Sequence, residues 1–237
     1  QPTTTTSPEP LPAPTLATPT VAPPDVAIAL RPKTGQGQLE VTLRLREVDG
    51  PRVVAQGERD RLRVQTASDA RGPLEVQVAQ AGEGLTLTLS RPVVGTLSLR
   101  YLVEAAGDGD AEEPLATAVD PGRMRVSGER VLALPTSWDD RGVTVELTID
   151  AGELDQHGTG SSFGSGDKTF TSLGRELRLA TYLAGITGRA RFVAPEGKDE
   201  ALWLGYTSFD PRVVAADAAS LRTAMGSVLG FPDPVPR

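Results

Sequence analysis

The chain has 237 residues with 31 acidic and 24 basic side chains, a net charge of -7. That balance excludes a nucleic-acid binder, which depends on clustered Lys and Arg. With no cysteine, disulfide frameworks, cysteine-ligated zinc, iron–sulfur clusters and thiol nucleophiles are excluded as well.

No apolar run reaches the roughly 18–20 residues of a membrane-spanning helix. No signal peptide is present, so an exported form has already lost it. Aromatic residues make up 4% of the chain, which leaves a core of mainly Leu, Val and Ala.

Gln1 to Pro24 holds eight of the 20 prolines and seven threonines, with Glu9 as its one charge. Proline at this density fixes φ and removes backbone donors, so residues 1–25 read as an extended tether without helix or sheet. Spacers of this composition often follow a lipidated cysteine, which predicts a lipid anchor before Gln1. The corresponding location is outside the cytoplasm, in the periplasm or at the cell surface.

From Val26 the pattern becomes period-2. Leu39–Leu45, Leu62–Val64, Leu74–Val78, Leu85–Leu89, Leu97–Tyr101 and Val143–Ile149 alternate apolar and polar residues, the signature of half-buried strands. Val26–Leu30, Met124–Val126 and Val131–Leu134 are shorter candidates. Turn sequences such as Asp49-Gly50-Pro51, Arg71-Gly72-Pro73 and Asp120-Pro121-Gly122 separate them. Short strands with one polar face each predict an antiparallel β-sandwich over residues 26–150.

The last third, residues 151–237, mixes strand and helix and is expected to pack on the sandwich. Leu173, Leu177, Ala180 and Ala184 fall at helical spacing, and Arg189–Val193 and Ala201–Tyr206 read as strands. Asp210 and Pro211 then open a second helix as N-cap and first residue. Its apolar stripe is Val214, Leu221, Met225, Val228 and Leu229, and Gly230 and Pro232 end it. The fold class is therefore mainly β, a sandwich with two α-helices in the C-terminal third. The FPDPVPR stretch that follows reads as an interdomain connection or equally as a natural C-terminus.

Motifs that could carry chemistry fail on their partners. Gly160-Ser161-Ser162-Phe163-Gly164 matches the nucleophile-elbow pattern, but the single histidine, His157, precedes it and no βαβ pattern surrounds it. In GSGDKT, Asp167 stands where a phosphate loop needs Gly. His157 has no second His or Cys to complete a zinc site, and Val119 occupies the twelfth position of a calcium loop begun at Asp108. Glu153 and Asp155 read as an ordinary acidic loop. No catalytic, cofactor or metal residue emerges. Trp138, Trp203, Tyr206 and Phe231 are the candidate interaction residues, with core and edge packing the plainer role for the two tryptophans and Tyr206.

Several segments resemble the M61 family of glycyl-aminopeptidase-like metallopeptidases. They are Ser161-Ser-Phe-Gly164, Leu173–Gly185 ending in TYLAG, Phe209-Asp210, and the helix running into LGFPDP. YLVEA at Tyr101 and LALPTSW at Leu132–Trp138 sit where that family's N-terminal β domain would have them. The resemblance spans residues 26–237 and implies a zinc site, with H-E-x-x-H and a later Glu, in a helical domain that follows. This chain has no H-E-x-x-H, so no catalytic position carries over.

The expected function is thus a non-catalytic N-terminal β domain of a secreted or surface-anchored M61-like metallopeptidase. Its partner would be a following catalytic domain or another protein, docked on an exposed apolar patch around the last helix. The alternative is a stand-alone, surface-tethered sandwich that binds a protein or glycan.

Overall fold

Alternation of large apolar and polar side chains turns one face of each strand inward, and the strands form where that alternation runs. The computed structural model describes residues 22–56, 61–81, 84–105, 117–152, 154, 158–185, 187–192, 199–204 and 210–229. In chain order the first strands are β1 (Val26–Lys33), β2 (Gln38–Arg46), β3 (Arg52–Gln56), β4 (Leu62–Asp69), β5 (Gly72–Pro73) and β6 (Val76–Ala81). Then come β7 (Gly84–Leu89), β8 (Thr96–Glu104), β9 (Ala118–Asp120), β10 (Arg123–Ser127) and a one-turn helix, α1 (Gly128–Val131). β11 (Gly142–Ile149), β12 (Gly158–Ser161), β13 (Gly164–Ser165) and β14 (Lys168–Leu173) lead to α2 (Gly174–Leu179). β15 (Thr181–Gly185), β16 (Thr187–Phe192), β17 (Asp199–Leu204) and α3 (Pro211–Leu229) complete the order.

A seven-stranded sheet, β14-β11-β1-β2-β8-β4-β5, forms the main layer. The β3-β7-β6 sheet supplies Val53, Leu85, Leu87 and Leu89 to the same core, and β13-β12-β15-β10-β9 supplies Met124, Val126, Tyr182 and Ala184. The register lines up Leu147, Ile28, Leu43, Leu99 and Ala67 as one row across five strands of the main sheet. All five side chains are buried, and full burial of each Leu or Ile stabilises by about 1.5–3 kcal/mol. This row shows why the sandwich forms without many aromatic residues.

Two groups of contacts tie the layers together. Tyr101 on β8 is fully buried, and its hydroxyl donates to the Val131 carbonyl at 2.7 Å while accepting from the Ala133 N–H at 3.0 Å. At α1 and α2 the backbones meet directly. A Cβ on Gly128 would lie 2.2 Å from the Leu177 carbonyl, and one on Gly174 would lie 2.4 Å from that of Trp138. Only glycine fits at either position.

The mainly β fold, with helices α2 and α3 in the C-terminal third, matches the sequence expectation, and three local expectations are corrected. Pairing is not antiparallel throughout, because β1 and β11 run parallel. Val131–Leu134 forms no strand: Val131 ends α1, and Leu132–Leu134 pass beside Tyr101 as irregular chain. The helical spacing of Leu173 to Ala184 misleads, because α2 stops at Leu179 and the backbone is extended at Ala180. Beyond it Tyr182 and Ala184 alternate with Thr181 and Leu183 and pair with β10 as a strand.

Of the segment read as a tether, residues 1–21 lie outside the described residues. Its last part joins the sheet. The Pro23 carbonyl accepts from Arg46 Nη1 at 2.7 Å, and the Asp25 N–H donates to the Thr144 carbonyl at 2.9 Å.

Candidate interaction surfaces

Helix α3 starts as its sequence dictates. Asp210 Oδ1 accepts from the Arg212 N–H at 2.9 Å, which satisfies a donor left open at the helix start. The helix packs against β16 and β17, and its half-buried positions are small: Ala215, Ala216, Ala219 and Gly226. Its large apolar side chains point the other way, with Val214 54%, Leu221 62%, Met225 51% and Val228 81% exposed. A surface helix ordinarily turns its large residues inward. Here that order is reversed, and an apolar stripe stands in solvent.

A second apolar surface lies where the main sheet ends at β14. A groove of about 430 Å³ runs between β14 and the β12–β13 hairpin, bounded further by α2. Phe163 at the hairpin turn stacks on Phe170 of β14 with ring centroids 4.4 Å apart. Leu179, at the end of α2, is 72% exposed beside them. Lys168 Nζ donates to the Phe163 carbonyl at 2.7 Å, and Glu176 Oε2 accepts from Ser172 Oγ at 2.8 Å. The groove thus has an aromatic floor with opposite charges at its two ends.

The nucleophile-elbow match resolves as this same hairpin. Ser162 and Phe163 form the turn, and Ser162 Oγ accepts from the Thr181 N–H at 3.0 Å. Asp167, in the phosphate-loop match, accepts from the Ile149 N–H at 3.0 Å and so closes the end of β11. His157, Glu153, Asp155 and the acidic turn at 108–112 lie outside the described residues. Among the described residues no group of three or more His, Asp or Glu side chains could hold a metal ion. Nor is any helix there long and apolar enough to cross a membrane.

The perturbed ionisable groups are structural in their surroundings. Arg91 grips both Asp69 oxygens, and with the Val94 and Arg71 N–H groups it holds that carboxyl well below its usual range against the cost of burial. Burial pushes the phenols of Tyr101 and Tyr182 far above their usual range.

Of the four residues singled out from the sequence, Trp138 is 3% exposed, with the Arg141 guanidinium 5.2 Å above its ring. Trp203 stands on β17 opposite Gly188. Tyr206 and Phe231 lie outside the described residues. The structure brings together residues the sequence did not single out, Phe163, Lys168, Phe170 and Leu179. Lys168-Thr-Phe-Thr-Ser172 holds one apolar residue, Phe170, so no alternation marked this strand in the sequence.

No family matches the sequence, and no curated protein does. A solved structure does share the fold. An aminopeptidase N family protein from Idiomarina loihiensis superposes with a TM-score of 0.63 at 13% identity, over 85% of this chain and 36% of that one. An M1 zinc metallopeptidase from Deinococcus radiodurans gives 0.44 at 18% identity, over 71% and 42%. Leukotriene A4 hydrolase from Saccharomyces cerevisiae gives 0.48 at 10% identity, over 75% and 30%. The first of these shows a shared fold, and this chain spans about a third of that protein's length.

Proposed function

We propose that this chain is the non-catalytic β domain of a zinc peptidase of the M1/M61 kind, supporting a catalytic domain that follows it. The observation that carries the reading is the outward stripe of α3, Val214, Leu221, Met225 and Val228, each more than half exposed. Apolar side chains aligned along one helix face mark a surface that another body covers. The fold shared with part of an aminopeptidase N family protein supports the reading. The M61 assignment rests on the sequence segments around Ser161–Gly164 and Leu173–Gly185. The Pro/Thr-rich start supports the further reading of an exported, surface-tethered protein with a lipid anchor before Gln1. Mass spectrometry of the native N-terminus tests that part, since an unmodified Gln1 would exclude the anchor.

The test of the central reading uses native material captured with an antibody against this chain. That material should contain zinc and release N-terminal residues from peptides, while the 237-residue chain should do neither. Native material with neither zinc nor peptidase activity would overturn the proposal.

A further inference from the structure

We propose that the free edge of β14 binds an extended polypeptide segment, which adds as a further strand antiparallel to β14. The segment's apolar side chains would face Phe163 and Phe170, and a carboxylate near its C-terminal end would face Lys168. This goes beyond the peptidase reading and does not depend on it.

The backbone supplies the first argument. Among the described residues β14 is the outermost strand of its sheet and pairs only with β11. On β11, the Thr144 carbonyl accepts from the Asp25 N–H at 2.9 Å, and the Thr144 N–H donates to Asp25 Oδ2 at 2.8 Å. Both groups therefore point away from β14. Thr171 is the register partner of Thr144, so the two form a non-hydrogen-bonded pair and Thr171 points its own N–H and C=O outward. Thr169 shares that parity. So does Leu173, whose N–H already donates to Glu176 Oε2 at 3.3 Å. Among the described residues no backbone group bonds to the outward N–H and C=O of Thr169 and Thr171, and both side chains are exposed.

Natural edge strands are usually blunted by charge, proline or a bulge. Of these devices β14 carries one, Lys168 at its start, and from Thr169 to Ser172 it has no charge, proline or bulge.

Side chains supply the second argument. Lys168, Phe170 and Ser172 face the same side as Leu147, Val145 and Val143, their register partners in the core. A strand added beyond β14 would send alternate side chains to that side, into the groove floored by Phe163 and Phe170 and flanked by Leu179. Charge sets what the guest carries opposite Lys168. The Lys168 ammonium donates to a carbonyl, and no carboxylate among the described residues pairs with it. In antiparallel addition the C-terminal end of the guest lies at Lys168, so a carboxylate there, from a side chain or a chain end, completes the pair. From Lys168 to Ser172 the edge measures roughly 13 Å, enough for about five guest residues.

The probe is a fluorescein-labelled Thr-Leu-Thr-Leu-Thr-Asp peptide amide, titrated against the 237-residue chain by anisotropy. Saturable binding below about 1 mM is expected. In the proposed geometry the peptide's threonine N–H groups bond to β14 and its leucine N–H groups point away. N-methylation at threonine should therefore weaken binding about fivefold or more, and N-methylation at leucine should not. The Thr169 and Thr171 amides should gain protection from hydrogen exchange. Lys168→Gln should weaken the Asp-ended peptide and leave an Asn-ended one unchanged. No saturable binding up to about 1 mM, or equal losses on threonine and leucine methylation, would overturn the proposal. So would protection confined to residues away from β14.

Discussion

The Tyr101 hydroxyl donates to Val131 and accepts from Ala133, so one side chain satisfies both backbone groups of the segment that leaves α1. The phenol is buried, and without it the Val131 carbonyl and Ala133 N–H face an apolar interior. Tyr101→Phe keeps the ring and removes only the oxygen. It should cost about 2–4 kcal/mol, the desolvation of two unpaired groups, read as a lower midpoint in urea at unchanged slope. A cost near zero would mean that water reaches this point.

Asp69 makes the fold sensitive to acid in a defined direction. Its folded pKa lies below the ordinary carboxylate value because the Arg91 guanidinium and the Val94 and Arg71 N–H groups hold its ionised form. The stability it contributes is complete above the unfolded value of about 3.9 and is lost as pH falls toward the folded value. Asp69→Asn should destabilise the chain at pH 7 and flatten the decline in stability below about pH 4. Denaturation midpoints measured from pH 7 to pH 2 check this. A variant that loses stability in parallel with the parent would place the acid sensitivity elsewhere.

The stripe on α3 should matter for association and little for folding. Leu221→Ser with Met225→Ser removes two large apolar side chains that are more than half exposed. The folding free energy should change by no more than about 1 kcal/mol, up to about 0.5 for each surface substitution, while binding of a hydrophobic dye should fall. A destabilisation of several kcal/mol would show instead that these side chains pack within the chain.

The strands at Leu39–Leu45, Leu97–Tyr101 and Val143–Ile149 were legible because their inner faces are uniformly large and apolar, which keeps period 2 unbroken. β14 was not, because its inner face carries Lys168 and Ser172 beside Phe170, as suits a strand at the margin of the core. The parallel pairing of β1 with β11 joins residues more than a hundred positions apart, and alternation is the same for either direction. The helical spacing of Leu173 to Ala184 was a coincidence of two elements. α2 supplies Leu177 and β15 supplies Ala184, and the extended backbone at Ala180 separates them.

Of the surfaces, the stripe on α3 could be read in the sequence, since Val214, Leu221, Met225 and Val228 recur at helical spacing. Periodicity could not say that the stripe faces outward. That follows from Ala215, Ala216 and Ala219, whose small size lets the opposite side of the helix lie against β16 and β17. The groove at β14 could not be read at all. Phe163 and Phe170 meet only because the β12–β13 hairpin folds back beside the sheet edge.

The most direct test of the central claim is the intact mass of the native polypeptide. A β domain that supports a catalytic partner predicts a mass above the 24.9 kDa of this chain by at least one further domain of about 100–200 residues, with H-E-x-x-H in the added sequence. A native mass of 24.9 kDa, with or without lipid, would contradict it and leave a β-sandwich that acts alone.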